Sequence, residues 1–251
     1  MDCKACRTGI DIEIAMAFQP IVDLRTGEVH SYEALVRGSE GQPAGEILGR
    51  VTAEARYAFD QKCRVTAIET AARLGIASRL NINFAPNAVY EPRNCLRATM
   101  DATRRTGLPH DRLVFELTED EEIVDHDKVR RIFAEYKAQG LGTAIDDFGA
   151  GYSQLNLLAE MPPDYVKIDM KLIRGIDADR AKRAVVAGLR VACETLGVRV
   201  IAEGVETAAE AQTLRDMGIH LLQGYLFARP AFQALPAPHL PLDAPRARFT
   251  A

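Results

Sequence analysis

Residues 179–203 read DRAKRAVVAGLRVACETLGVRVIAE and give the first indication of architecture. Asp179 suits a helix N-cap, because its short acidic side chain can accept from the free amides of the first turn. After it, Val185, Val186, Leu189, Ala192, Cys193 and Leu196 recur at helical spacing and predict one apolar face. That face makes Cys193 a core residue. Gly197 can take the left-handed conformation that ends a helix. Val198–Ala202 is then an apolar run of strand length, closed by Glu203.

Working outward, the same helix–glycine–strand unit recurs. Helical segments stop at Gly75, Gly107, Gly140 and Gly218, and Leu80–Phe84, Leu113–Leu117, Thr143–Ile145 and Ile219–Leu222 follow them. Cys63 shares a face with Ala67, Ala71 and Leu74, and Val129, Ile132, Phe133 and Tyr136 form another stripe. Asp164–Asp169, entered through Pro162-Pro163, adds a strand. Repeated units of this kind predict a mostly parallel sheet covered by helices. About eight strands in a chain of this length favour closure into a barrel. Ala17–Leu24 and His30–Val36 are separated only by Arg25-Thr26-Gly27-Glu28 and so form an antiparallel hairpin. The expected fold is therefore α/β, a modified TIM (β/α)8 barrel with an antiparallel first strand. The boundaries expected are a leader over 1–13, one domain over 14–235, and a proline-rich tail over 236–251 that meanders.

Composition narrows the function. The chain has 251 residues, 47% hydrophobic and 26% charged, with a net charge of −4. These values fit a globular domain and exclude a coiled coil or collagen-like rod. No apolar run is long enough for a membrane span. A nucleic-acid polymer is not an expected partner of so acidic a chain. The N-terminus lacks the apolar core of a secretory signal. Five scattered cysteines argue for a reducing compartment, hence a cytoplasmic protein. Cys3-x-x-Cys6 is half of a zinc knuckle without a second half, and a packed or disordered leader accounts for it as well.

Polar residues interrupt the apolar strands, late in each. They are Glu33, Asn83, Glu116, Asp146-Asp147, Lys167 and Asp169, and Glu203. In a barrel the carboxyl ends of the strands form the active-site face. Converging carboxylates repel, and divalent cations relieve this. Oxygen donors favour Mg²⁺ or Mn²⁺ over zinc, and there are enough acids for two ions, an arrangement suited to phosphodiester cleavage. His30 and His220 begin strands, at the wrong end, and His110, His126 and His239 fall in turn-like stretches. Any one strand-end acid, taken alone, reads equally as a helix cap or solvated residue. Asp146-Asp147 is harder to dismiss, since strand neighbours face opposite ways unless the strand breaks; Gly149 and Gly151 permit a break there. Gly149-x-Gly151 is a fragment of a dinucleotide fingerprint, but Gln154 stands where its third glycine belongs.

These residues sit in longer motifs: Tyr32-Glu33-Ala34-Leu35-Val36-Arg37, Phe18-Gln19-Pro20-Ile21-Val22, Asn83-Phe84-Ala85-Pro86 and Glu116-Leu117-Thr118-Glu119. Then come Asp146-Asp147-Phe148-Gly149-Ala150-Gly151-Tyr152-Ser153, Val166-Lys167-Ile168-Asp169, Ala202-Glu203-Gly204-Val205-Glu206 and Gln223–Pro230. In these motifs the chain resembles the EAL domain family of cyclic-di-GMP phosphodiesterases. The resemblance implies a first metal on Glu33, Asn83, Glu116 and Asp146, and a second on Asp146, Asp147 and Glu203. Lys167 would position the attacking water and offset phosphate charge, so the catalytic set is Glu33, Lys167, Asp147 and Glu203. Gln19, Leu35, Arg37, Asp169, Glu206 and Gln223 would contact the dinucleotide. Glu119 would anchor the loop after Asp147, which in this family links a dimer interface to the metals. The resemblance implies hydrolysis to linear pGpG with Mg²⁺ or Mn²⁺, inhibition by Ca²⁺, a homodimer, and control by a sensor domain or partner protein. The class rival is a silent cyclic-di-GMP receptor, which keeps the barrel and loses metal ligands. One departure is the short, polar Gly38-Ser39-Glu40-Gly41-Gln42, which with Glu46–Arg50 resembles variants attached to blue-light-sensing domains and bears on dinucleotide affinity.

Overall fold

The structure, a computed structural model, describes residues 11–86, 89, 95–117, 126–150 and 154–240. Strands β1 (Ile14–Asp23) and β2 (Glu28–Gly38) form the expected antiparallel hairpin. Then come α1 (Ala44–Leu48), α2 (Arg56–Arg73), β3 (Arg79–Phe84), α3 (Arg97–Thr106), β4 (Leu113–Leu117), α4 (His126–Ala138) and β5 (Gly142–Phe148). They are followed by α5 (Gln154–Glu160), β6 (Tyr165–Ile168), α6 (Met170–Ile173), α7 (Arg180–Thr195), β7 (Arg199–Ala202), α8 (Ala208–Asp216), β8 (Leu221–Gln223) and β9 (Ala231–Phe232).

Strands β2 to β8 run parallel, neighbour to neighbour. β1 closes the ring by pairing antiparallel with both β2 and β8. The result is a closed eight-stranded barrel with helices between strands and one extra strand, β9, paired to β1 at Ala17 and Phe18. Gly75, Gly107, Gly140, Gly197 and Gly218 all have positive φ, as expected of helix terminators. Asp179 caps α7, accepting from Ala181 N and Lys182 N.

Two expectations need correction. The apolar face of α7 is only half covered: Val186, Leu189 and Cys193 are buried, but Val185, Ala192 and Leu196 are exposed. The segment after Ala231 does not simply meander. Besides β9, Gln233 N donates to Met16 O, Tyr32 OH to Pro236 O and His239 N to Phe227 O, so the strap is bonded to the barrel through its backbone. Prolines do not prevent this, because their carbonyls still accept.

Barrel strands alternate between interior and helix layer. A small interior cluster of Ile21, Val114, Ala144, Tyr165, Ile201 and Leu221 forms an apolar floor. Moving two residues from each along its strand gives Gln19, Glu116, Asp146, Lys167, Glu203 and Gln223. The fold thus stacks a polar layer directly on a dry one. Among the described residues no helix is long and apolar enough to cross a membrane.

Candidate active site

Lys167 organises the polar layer. Its ammonium lies 2.8 Å from Glu203 Oε1, 3.0 Å from Glu116 Oε2, 3.0 Å from Asp146 Oδ1 and 3.5 Å from Glu33 Oε2. The lysine is fully buried. Burial opposes its charge, but Asp146, Glu116, Glu203 and Glu33 outweigh that penalty and hold it well above the usual lysine value. The acids show the reverse balance. Burial pushes Glu116 up to about 8 against the pull of Lys167, with Glu33 and Asp146 repelling its charge. Glu203 is also raised well above the ordinary value by burial, with Lys167 pulling it back. Asp147 rises to about 6 through burial and the neighbouring Asp146.

The acids fall into two groups. Oxygens of Glu33, Glu116 and Asp146 lie within 4.8 Å of one another, as do those of Asp146, Asp147 and Glu203. Asp146 belongs to both. Its neighbour Asp147 reaches the same side because it takes a left-handed conformation, φ 49°, where the β5–β6 register shifts. The break expected from the glycines is there, with Gly149 at φ 101°, and it begins two residues earlier, on Asp147 itself. Asp147 N donates to Asp146 Oδ1 at 3.0 Å, a local bond that helps an Asp tolerate this conformation.

Amides hold the acids in place. Gln223 Nε2 donates to Glu33 Oε2 at 2.6 Å and to Gln19 Oε1 at 3.2 Å. Gln19 stands level with Glu33 in the hairpin register and itself donates to Ala228 O. Asn83 Nδ2 donates to Glu33 Oε1 at 3.3 Å, while its Oδ1 is buried with no hydrogen-bond partner among the described residues.

Other expected residues are more dispersed. Leu35 and Arg37 continue the row of Glu33 along β2, half-buried, with Arg37 Nη1 on Val36 O. Asp169 is buried and caps α6 by accepting from Lys171 N. Glu206 lines a groove over the polar layer with Gln19, Glu33, Glu203 and Gln223, and it pairs with Arg174 at 2.6 Å. Glu119 lies outside the described residues, as do Gly151, Tyr152 and Ser153.

Two contributors were not anticipated as site residues. Asn81, fully buried two residues before Asn83, donates to Glu116 Oε1 at 2.7 Å. Arg174 enters the groove from the turn after α6. Strand alternation signals Asn81; nothing in the sequence marks Arg174. Of the histidines, His30 lies at the other end of the barrel as expected, whereas His126 heads α4 rather than a turn. His30 contacts Tyr165 OH at 2.9 Å, and burial with Arg199 and Arg79 depresses it to about 4.

The sequence matches the family described as EAL domain over residues 4–230. The chain belongs to the EAL domain family. Its fold is shared with a standalone versatile EAL protein from Vibrio cholerae O395, solved in a c-di-GMP-bound form. That protein is 46% identical with a TM-score of 0.90, covering 92% of this chain and 98% of the other. BlrP1 of Klebsiella pneumoniae, solved with manganese and cyclic di-GMP, is 37% identical with a TM-score of 0.84, over 91% of this chain and 58% of the other. Among curated relatives, the blue light- and temperature-regulated antirepressor BluF of Escherichia coli is 29% identical over 94% of this chain and 59% of its own length. The cyclic di-GMP phosphodiesterase NbdA of Pseudomonas aeruginosa is 32% identical over 88% of this chain and 29% of its own. The EAL chain thus spans well under two thirds of either curated relative.

Proposed function

We propose that this EAL domain hydrolyses one 3′–5′ phosphodiester bond of cyclic di-GMP, giving linear pGpG, with two Mg²⁺ or Mn²⁺ ions. The carrying observation is the pair of acid groups sharing Asp146. With every acid ionised, five carboxylates and one ammonium would leave four negative charges, the charge of two divalent cations; without metal, the raised Glu116 and Glu203 keep protons near neutral pH instead. The donor set is all oxygen, as Mg²⁺ and Mn²⁺ prefer, and the orphaned Asn83 Oδ1 adds a neutral donor beside Glu33. Glu33, Asn83, Glu116 and Asp146 would hold the first ion, and Asp146, Asp147 and Glu203 the second. The chemistry such ions would supply is a nucleophile from water near neutral pH and stabilisation of charge on phosphoryl oxygens.

The chain's own residues supply the rest. Gln223 and Asn83 fix the Glu33 carboxylate. Lys167, already ionised, holds the attacking water and offsets phosphate charge. Gln19, Glu206 and Gln223, which line the groove, together with Leu35, Arg37 and Asp169, would contact the dinucleotide, and bound ions would mask the acids from the dianionic substrate. Ca²⁺ should bind and inhibit, since its longer, looser bonds misplace the water.

A homodimer completes the proposal. Leu155 is 67% exposed and Val185 55%, and both line an apolar groove with Phe148, Gly149, Leu172 and Leu189. This face runs directly into the loop after Asp147, so a second copy seated there would steady Asp146 and Asp147. Glu119, outside the described residues, would anchor that loop as the family resemblance implies, and Glu119→Ala should lower activity although Glu119 is not a proposed metal ligand. The work site is the cytoplasm, under control of a sensor domain or partner protein.

The second reading, a barrel that binds cyclic di-GMP or a protein partner without turnover, draws support from the likeness to the antirepressor BluF. Purified full chain incubated with cyclic di-GMP and Mg²⁺ separates the two. The appearance of pGpG supports the enzyme; tight binding without product supports the receptor.

A further inference from the structure

Behind the site lies a second buried charge. Arg64 on α2 is fully buried between the helix layer and the barrel wall. Its Nη2 pairs with Asp60 Oδ2 at 2.7 Å, one helical turn away, and its Nη1 donates to Tyr136 OH at 2.9 Å. The guanidinium carbon lies 5.2 Å from the centroid of the Phe115 ring and 5.6 Å from that of Phe84. Phe84, Phe115 and Tyr136 pack on one another with centroids 5.0–6.3 Å apart. The second oxygen of Asp60, Oδ1, accepts from Ala85 N at 3.1 Å.

The contacts to Phe84, Ala85 and Phe115 fall within two residues of the proposed first metal site, and Tyr136 packs on both rings. Phe84 and Ala85 follow Asn83, and Phe115 precedes Glu116. In a strand, fixing the outward residue fixes the inward direction of its neighbour. Ala85 lies just past the end of β3, and Asp60 holds its amide there. Stability alone does not explain the pair, because a buried ion pair is often matched or bettered by apolar residues of equal volume. We propose that Asp60, Arg64 and Tyr136 are positioning residues that set the aim of Asn83 and Glu116 from outside the barrel. The proposal rests on the two-cation reading above.

The test uses the full-length chain and Mn²⁺ alone, followed by calorimetry, with kinetics on cyclic di-GMP in parallel. Asp60→Leu/Arg64→Met removes both charges together and should stay folded. Its Mn²⁺ affinity should fall about 10-fold, as losses behind a ligand shell do, and kcat should fall with it while KM stays within about twofold. Asp60→Asn retains an oxygen for Ala85 N and should lie closer to the parent than Asp60→Ala. Should the double variant fail to fold, Tyr136→Phe, which loses one hydroxyl, should still weaken Mn²⁺ by about two- to threefold. A folded double variant, or a Tyr136→Phe protein, with parental Mn²⁺ affinity overturns the proposal. A parent that takes up no Mn²⁺ at all removes the two-cation reading itself, and the positioning role with it.

Discussion

Lys167 and Arg64 are both fully buried cations in the same barrel, yet their surroundings differ in kind. Arg64 meets one carboxylate, one hydroxyl and aromatic faces, so its charge is matched within its own pocket. Lys167 meets four carboxylates within 3.5 Å, and a fifth, Asp147, lies close to two of those four. Burial is costly for both, several kcal/mol per ion. A matched pair is self-sufficient. A cluster of five acids is not: protons on the raised ones, or cations from outside the chain, must meet its charge.

Breaking the acid cluster should have the largest effect. Glu33→Ala removes an acid from the first group and should abolish turnover, beyond the roughly 10–100-fold lost when only an outer partner goes. Asn83→Ala removes a neutral donor and should retain more activity and more Mn²⁺ affinity. Equal, near-parental rates for the two variants would contradict the assignment. Lys167→Ala comes next. Steady-state kinetics should show kcat falling more than substrate affinity, because the ammonium acts on water and phosphate. Should activity per folded molecule stay intact while the melting temperature drops, Lys167 would be a structural ion.

The acid cluster also predicts a pH signature. Glu116 is raised to about 8 and Asp147 to about 6, both chiefly by burial. Raised acids favour the folded state at low pH, where they hold protons, and their contribution is lost as pH rises through those values. Lys167 stays charged throughout this window. The metal-free protein should therefore lose stability between roughly pH 4 and 8, from the ordinary carboxylate values up to the raised ones. Saturating Mg²⁺ should raise the melting temperature more at the alkaline end. A metal-induced shift that is flat or larger at acid pH would show that the acids are not the binding groups. The smallest effect sharpens the picture. Asn81→Ala leaves every proposed ligand in place but frees Glu116 Oε1, and it should lower kcat by about 10-fold. An unchanged rate would make Asn81 a packing residue.

Much of this was legible in the sequence because glycine, periodicity and strand-end polarity are local signals. The helix–glycine–strand unit at 179–203 carried the barrel, and the Arg25–Glu28 turn carried its antiparallel start. What escaped depended on distance in the chain. Val185 and Leu196 are as apolar as Val186, and only tertiary contact tells the covered from the bare. Asp60 and Arg64 at i and i+4 look like a surface pair until Phe84, Phe115 and Tyr136 close over them. The break after β5 is legible in its glycines, and Gly149 does take a positive φ of 101°, but the left-handed Asp147 beside it is not, because aspartate visits that region far less often than glycine.

The central claim is that the acid cluster around Lys167 takes up two divalent cations. Counting Mn²⁺ bound per chain, by calorimetric titration of the full-length protein in the presence of cyclic di-GMP, tests it most directly. Two ions per chain, dropping to one in Glu203→Ala, is the predicted result. A single ion in the parent, or none, with the stoichiometry unmoved by Glu203→Ala, would contradict it.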